Sequence, residues 1–198
     1  MRDAVAALER YLAVGATGKR TLSIWCERQW CPSNLVYVIA LDDDTAFGVL
    51  TSSVHRLWAA RRGSTLEGRL RYTNTTVFDT FPWPSPDDEQ REHIAAAARS
   101  VVAERTRACD GRRGLTDVYN LLDDGGFRDL AATHRELDAA VAAAYGWPAH
   151  VADDPYEVVP RLMELNADIA AGRRTYAPFG NRGQAATARE LPLAYRSD

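Results

Sequence analysis

Three prolines at alternate positions in Phe81-Pro82-Trp83-Pro84-Ser85-Pro86 constrain this chain more than any other feature. Each proline holds φ at about −65° and removes a backbone donor, so the run can join neither a helix interior nor a central strand. It predicts a stiff, extended connector. The patterns on its two sides differ. Upstream, short apolar segments alternate with turns; downstream, apolar residues recur at helical spacing. The expected fold class is therefore α+β: a small mixed recognition unit over 1–84, a mainly helical C-terminal unit over 85–172, and a flexible tail over 173–198.

In the upstream half, residues 4–13 read as a first helix, stopped by Gly15 and Gly18. Thr21–Cys26 and Asn34–Leu41 are rich in Val, Ile, Tyr and Trp and read as strands. Asp42-Asp43-Asp44-Thr45 supplies a helix N-cap, where negative charge suits the dipole. Phe47, Leu50, Val54, Leu57 and Trp58 then predict one helix to about Ala60, closed by Arg61-Arg62-Gly63. From Leu66 to Val77 the period changes to two. Leu66, Gly68, Leu70 and Tyr72 alternate with Glu67, Arg69, Arg71 and Thr73, which predicts one strand with a charged face. Downstream, helices are expected from Asp87-Asp88-Glu89 to about Cys109, over Leu115–Asp124, over Phe127–Tyr145 and over Pro155–Ala171.

Charge narrows the function classes. The chain carries a net charge of −3 over 198 residues, which excludes a wholly basic nucleic-acid coat. Residues 45–77 nevertheless hold Arg56, Arg61, Arg62, Arg69 and Arg71 against the single acid Glu67, whereas residues 85–198 hold 14 basic and 19 acidic groups. A local basic window in an acidic chain points to a directed polyanion contact. The arginine bias of the whole chain, in which Lys19 is the one lysine, offers a second explanation. Cys26, Cys31 and Cys109 form neither an even disulfide set nor a metal pair and read as buried reduced thiols, which fits a cytoplasmic protein. No metal site is expected. No apolar run approaches the roughly 18 residues of a membrane span.

Catalytic chemistry is not legible. Transfer of a methyl group to adenine in DNA needs a glycine-rich S-adenosylmethionine loop and an Asn/Asp-Pro-Pro-aromatic motif, and no Pro-Pro pair occurs in this chain. Gly15-x-x-Gly18 and Gly180-x-x-Gly183 lack a preceding apolar strand suited to such a loop. Asp42–Asp44 are accounted for as a cap, and His55, His93, His134 and His150 stand apart from any nucleophile that spacing can identify. No catalytic residue is assigned.

Two segments carry a resemblance: Phe47-Gly48-Val49-Leu50-Thr51-Ser52-Ser53-Val54-His55-Arg56-Leu57-Trp58, and the run from Arg71-Tyr72-Thr73-Asn74 to Phe81-Pro82-Trp83-Pro84. In the same order follow Leu137-Asp138-x-x-Val141-x-x-x-Tyr145-Gly146-Trp147-Pro148 and Leu162-x-Glu164-Leu165-Asn166. Together they resemble the C-terminal target recognition region of MmeI-like, single-chain (type IIG/IIL) restriction–modification adenine methyltransferases, over roughly residues 5–170. The resemblance implies a module that reads duplex DNA for a phage-defence or restriction–modification system. It implies as partner a methyltransferase catalytic domain or subunit, expected before residue 1, with S-adenosylmethionine bound there and no cofactor in this chain. A split subunit, a truncated gene and an excised fragment all fit, and the N-terminal edge is expected to be incomplete.

The resemblance also implies that specificity varies at Glu67, Arg69 and Arg71. Alternation independently places these three on one strand face. Arginine can bridge guanine N7 and O6, and glutamate can accept from the cytosine amino group, so Glu67 with Arg69 suits one C·G pair. The competing reading is a solvated strand with an ordinary surface ion pair. Lys19, Ser52, His55, Arg56, Arg61, Arg62 and Asn74 are candidates for phosphate contacts, which position a protein without reading sequence. A helical protein-interaction subunit, or a remnant of such an enzyme, is the alternative function.

Overall fold

The computed structural model describes residues 2–176 and Pro178, with side chains from Ala4 onward. The fold class is α+β: short antiparallel sheets precede a run of helices. The chain divides into two compact units. One comprises the described parts of Met1–Asp42, His55–Trp83 and Val159–Asp198, the other Asp43–Val54 and Pro84–Val158.

In the first unit, helix α1 (Arg2–Val5) is only four residues long. The helix expected over 4–13 is replaced by strand β1 (Arg10–Gly15), the middle strand of a sheet ordered β3-β1-β4. Its neighbours β3 (Ser23–Glu27) and β4 (Val36–Ile39) pair with it antiparallel, Leu12 standing opposite Trp25 on one side and Ile39 on the other. The misreading has a physical cause. Tyr11, Leu12, Ala13 and Val14 are all buried, so both strand faces are apolar and the two-residue alternation vanishes. Tyr11 and Ala13 pack with Val5, Cys26 and Val38. Burial pushes the Cys26 thiol pKa up, against the opposing effect of its hydrogen bond with Tyr11.

Strand β2 (Thr17–Gly18) leaves this sheet and joins a second one with β5 (Ser64–Leu66) and β6 (Arg69–Arg71), ordered β2-β6-β5. A π-helical turn, Asn74–Phe78, follows β6. The proline-rich connector is extended, and Phe81 and Trp83 are buried. The Trp83 N–H donates to Tyr176 Oη (3.1 Å), whose hydroxyl donates to the Phe81 carbonyl (2.8 Å). Burial pushes the Tyr176 pKa up to about 12, partly offset by that backbone hydrogen bond. The tail expected from residue 173 thus includes a residue clamped onto the connector, and beyond Tyr176 only Pro178 is among the described residues. Helix α7 (Pro155–Ala170) adds a second tie, Asn166 Nδ2 donating to the Thr80 carbonyl at 2.7 Å.

In the second unit, helix α2 (Asp44–Thr51) starts at the expected cap, Asp43 accepting from the Thr45 N–H at 3.0 Å. Helices α4 (Asp88–Cys109), α5 (Leu115–Asp123) and α6 (Arg128–Ala144) follow the sequence reading within a residue or two at each end. Asp87 and Gln90 form a reciprocal capping box at the start of α4. Gly48 allows α2 to lie against α4 and α6: a Cβ there would stand 2.7 Å from Ile94 Cγ2 and 3.1 Å from Leu137 Cδ1. Inside the unit, the buried Arg105 donates through Nε to Tyr119 Oη (2.7 Å), which also meets His134 Nε2 (2.6 Å).

The single helix expected up to Ala60 is broken at Ser52, whose extended backbone (φ −66°, ψ 159°) ends α2. Helix α3 (Ser53–Arg62) then begins afresh. Its first N–H and the Ser53 hydroxyl both donate to the Asp138 carboxylate, at 2.7 and 2.6 Å. An acid on α6 therefore caps α3, satisfying donors that a helix start leaves unpaired.

Candidate nucleic-acid interface

The exposed ribbon β5–β6 is built around a two-residue turn. Glu67 (φ 52°) and Gly68 (φ 77°) both take left-handed backbone, as a type I′ hairpin requires. The one strand expected from Leu66 to Val77 is therefore two short strands folded back on each other, and Glu67 occupies the turn instead of a strand face. The alternating pattern hid this because a reversal between Leu66 and Arg69 leaves no trace in period. Only Gly68 marked it.

Folding back regroups the side chains. Cross-strand partners share a face, and the register pairs Leu66 with Arg69 and Ser64 with Arg71. On the other side of β6, Thr17 pairs with Arg71 and Gly18 with Leu70. One face of the ribbon thus presents Arg69, Arg71, Leu66, Ser64 and Thr17, while Leu70 turns to the opposite face toward Gly63. Every residue from Ser64 to Arg69 is exposed. Arg69 Nη2 meets Glu67 Oε2 at 2.8 Å, with both side chains largely in solvent. Such a pair contributes little to stability, about 0–1 kcal/mol.

The root of the ribbon is firm. Tyr72, next after Arg71, is buried; its N–H donates to the Ala16 carbonyl (2.9 Å) and its hydroxyl meets His55 Nε2 (3.2 Å). Burial raises the Tyr72 pKa far above its ordinary value, with smaller contributions from Asp79 and Tyr37, so the phenol stays neutral. His55 also stands edge-on to Phe81, ring centroids 5.0 Å apart.

The expected phosphate contacts divide by exposure. Ser52 and His55 are fully buried and present no surface to a phosphate, a correction of the sequence reading. The Ser52 hydroxyl donates to the Val49 carbonyl at 2.7 Å, and His55 is held in the aromatic core. Both lie off the apolar stripe of a helix, but neighbouring elements cover that side too. Lys19, Arg56, Arg61 and Arg62 are exposed. Lys19 follows β2 directly, Arg61 and Arg62 end α3 just before β5, and the Arg62 guanidinium lies 5.6 Å from the Trp58 ring centroid. Asn74, half-buried, opens the π-helical turn. Glu67, Arg69, Arg71, Lys19, Arg61 and Arg62 therefore gather on or beside the second sheet, Arg56 sits further back on α3, and Ser52 and His55 are excluded. Leu66 escaped the sequence reading because a single strand would put it opposite Arg69.

Among the described residues no group of three or more His, Cys, Asp or Glu is placed to hold a metal ion. Cys31 is exposed, which corrects the expectation that all three thiols are buried; Cys26 is buried and Cys109 intermediate. Gly15 and Gly18 close successive strands and lead into no helix, so they do not fit a nucleotide loop. Gly180 and Gly183 lie outside the described residues. No described helix is long and apolar enough to cross a membrane.

Residues 22–85, which include the exposed hairpin, match the family described as the MmeI target recognition domain. The chain is similar to the type IIL restriction–modification enzyme MmeI, solved in complex with DNA, at a TM-score of 0.73 and 27% identity over 83% of this chain and 22% of that one. It is also 25% identical over 155 residues to DNA methyltransferase A of Bacillus subtilis (strain 168), covering 78% of this chain and 16% of that protein. The coverage of the MmeI match is comparable in extent to the resemblance to MmeI-like enzymes read over roughly residues 5–170. The chain spans less than a quarter of the length of either relative.

Proposed function

We propose that this chain is a sequence-specific duplex-DNA recognition module of an adenine-N6 DNA methyltransferase from a restriction–modification or phage-defence system. The observation that carries the reading is the exposed hairpin whose one face bears Arg69 and Arg71, with Glu67 at its tip. A two-stranded ribbon fits the major groove, which is about 12 Å wide and about 8.5 Å deep. Arg69 donates to guanine N7 and O6 while Glu67 accepts from the amino group of the paired cytosine, exchanging their solvent-exposed contact for base contacts. Arg71, two residues on, reads a neighbouring pair. Lys19, Arg56, Arg61, Arg62 and Asn74 hold phosphates and fix the register.

Methyl transfer belongs, in this reading, to a catalytic domain or subunit that this module serves, and S-adenosylmethionine binds there. The relatives support it: one is a DNA methyltransferase, and the other a restriction–modification enzyme in complex with DNA.

Fluorescence anisotropy of the 198-residue chain with a random-sequence duplex at two salt concentrations tests the proposal. Binding that weakens with salt and is weaker in Arg69→Ala/Arg71→Ala, with the melting temperature unchanged, is the expected result. If the wild type and the variant both fail to bind, DNA recognition by this chain is refuted.

A further inference from the structure

The hairpin register brings an apolar side chain among the cations. Leu66 is 50% exposed, and it sits directly across from Arg69 on the face that also carries Arg71. A lone exposed leucine ordinarily needs no explanation. This one is set apart by its neighbours, because Ser64, Thr17 and two arginines share its face and the nearest apolar residue on the ribbon, Leu70, points the other way. A protein-docking patch would need contiguous apolar surface, which this face does not offer. The occupant must tolerate two guanidinium groups beside it and still present one small apolar group.

In duplex DNA the group that meets this description is the 5-methyl of a pyrimidine, the apolar feature of the major-groove edge. We propose that Leu66 is a specificity-determining residue that contacts a pyrimidine 5-methyl group beside the base pair read by Arg69. The inference rests on the DNA-recognition reading above. Directly opposed residues in an antiparallel ribbon have Cβ atoms about 4.5–5.5 Å apart. Successive bases on a strand rise about 3.4 Å, so Leu66 falls within about two base pairs of the Arg69 contact. Covering one methyl group contributes a factor of roughly four in affinity, less than a bidentate arginine but enough to set a preference. Thymine and 5-methylcytosine offer the same chemistry, and the experiment separates them.

The 198-residue chain is used to enrich duplexes from a random pool, in parallel with Leu66→Ala and Arg69→Ala. The wild type is expected to prefer a 5-methylpyrimidine at one position within two base pairs of the guanine preference that Arg69→Ala relaxes. Leu66→Ala should lose only that first preference. Uracil in place of thymine in the enriched duplex should weaken the wild type roughly fourfold and leave the variant unaffected. Cytosine and 5-methylcytosine at the same place show which source is preferred. An unchanged motif in Leu66→Ala, an equal response to uracil, or an equal loss of affinity for all duplexes overturns the inference while DNA recognition stands. Enrichment of nothing by the wild type sinks both.

Discussion

Glu67 is a residue whose local conformation and identity disagree. Its φ of 52° lies in the left-handed region, where the first turn position of a type I′ hairpin favours asparagine. A β-carbon-bearing residue there costs about 1–2 kcal/mol relative to ordinary backbone, and the exposed contact with Arg69 returns little of it. Under the proposed reading, the carboxylate at this position is there to meet a cytosine amino group. Glu67→Asn should therefore raise stability by about 0.5–1 kcal/mol, read as a higher urea midpoint at unchanged slope, while relaxing the cytosine preference. A midpoint that does not rise would remove the strain account. His55 teaches the complementary lesson. A polar residue on the outer side of an isolated helix pattern is in fact a fully buried ring, held by Tyr72 and Phe81. Sequence period reports one helix against one core and is blind to a second covering layer.

Among the elements, α3 depends most on a residue distant in sequence. The carboxylate of Asp138 takes both the N–H and the hydroxyl of Ser53, so the Ser52-Ser53 and Leu137-Asp138 motifs are two halves of one cap. Asp138→Ala should cost about 1–2 kcal/mol, and Ser53→Ala/Asp138→Ala should cost less than the two single losses added together, as a double-mutant cycle by thermal denaturation would show. Strict additivity would mean that the carboxylate acts elsewhere. The same residues show what was legible. Helices α4 to α7 were readable because each carries an apolar stripe and is followed by a glycine in left-handed backbone (Gly111, Gly125, Gly146 and Gly172), and α4 has the Asp87–Gln90 capping box as well. The break at Ser52 was not, since the apolar period runs on through it and its cause lies on α6. Strand β1 lost its alternation by burial on both faces, and the β5–β6 reversal fell within a period that it preserves. Arg69 and Arg71 were correctly placed on one face, but the residues that share it came only with the register.

Charge sorts with the division of the whole molecule. The unit formed by Met1–Asp42, His55–Trp83 and Val159–Asp198 carries 16 basic and 10 acidic side chains; the other carries 8 and 17. The overall −3 thus conceals a basic unit, which also holds every candidate DNA contact except Ser52. Under the proposed DNA reading, a polyanion favours contact with the first unit over the second. The number of phosphates engaged is then measurable. If Lys19, Arg56, Arg61 and Arg62 each neutralise one phosphate, the plot of log affinity against log salt should have a slope of about −3.6. Affinity should then fall roughly 150-fold between about 50 and 200 mM salt. Replacing Arg56, Arg61 and Arg62 by alanine should flatten that slope by about 0.9 for each residue and weaken all sequences alike, because phosphate contacts carry no base information. Arg69→Ala should instead change which sequences bind. A slope that survives loss of the three α3 arginines would move the phosphate track off that helix and onto Lys19 and the hairpin.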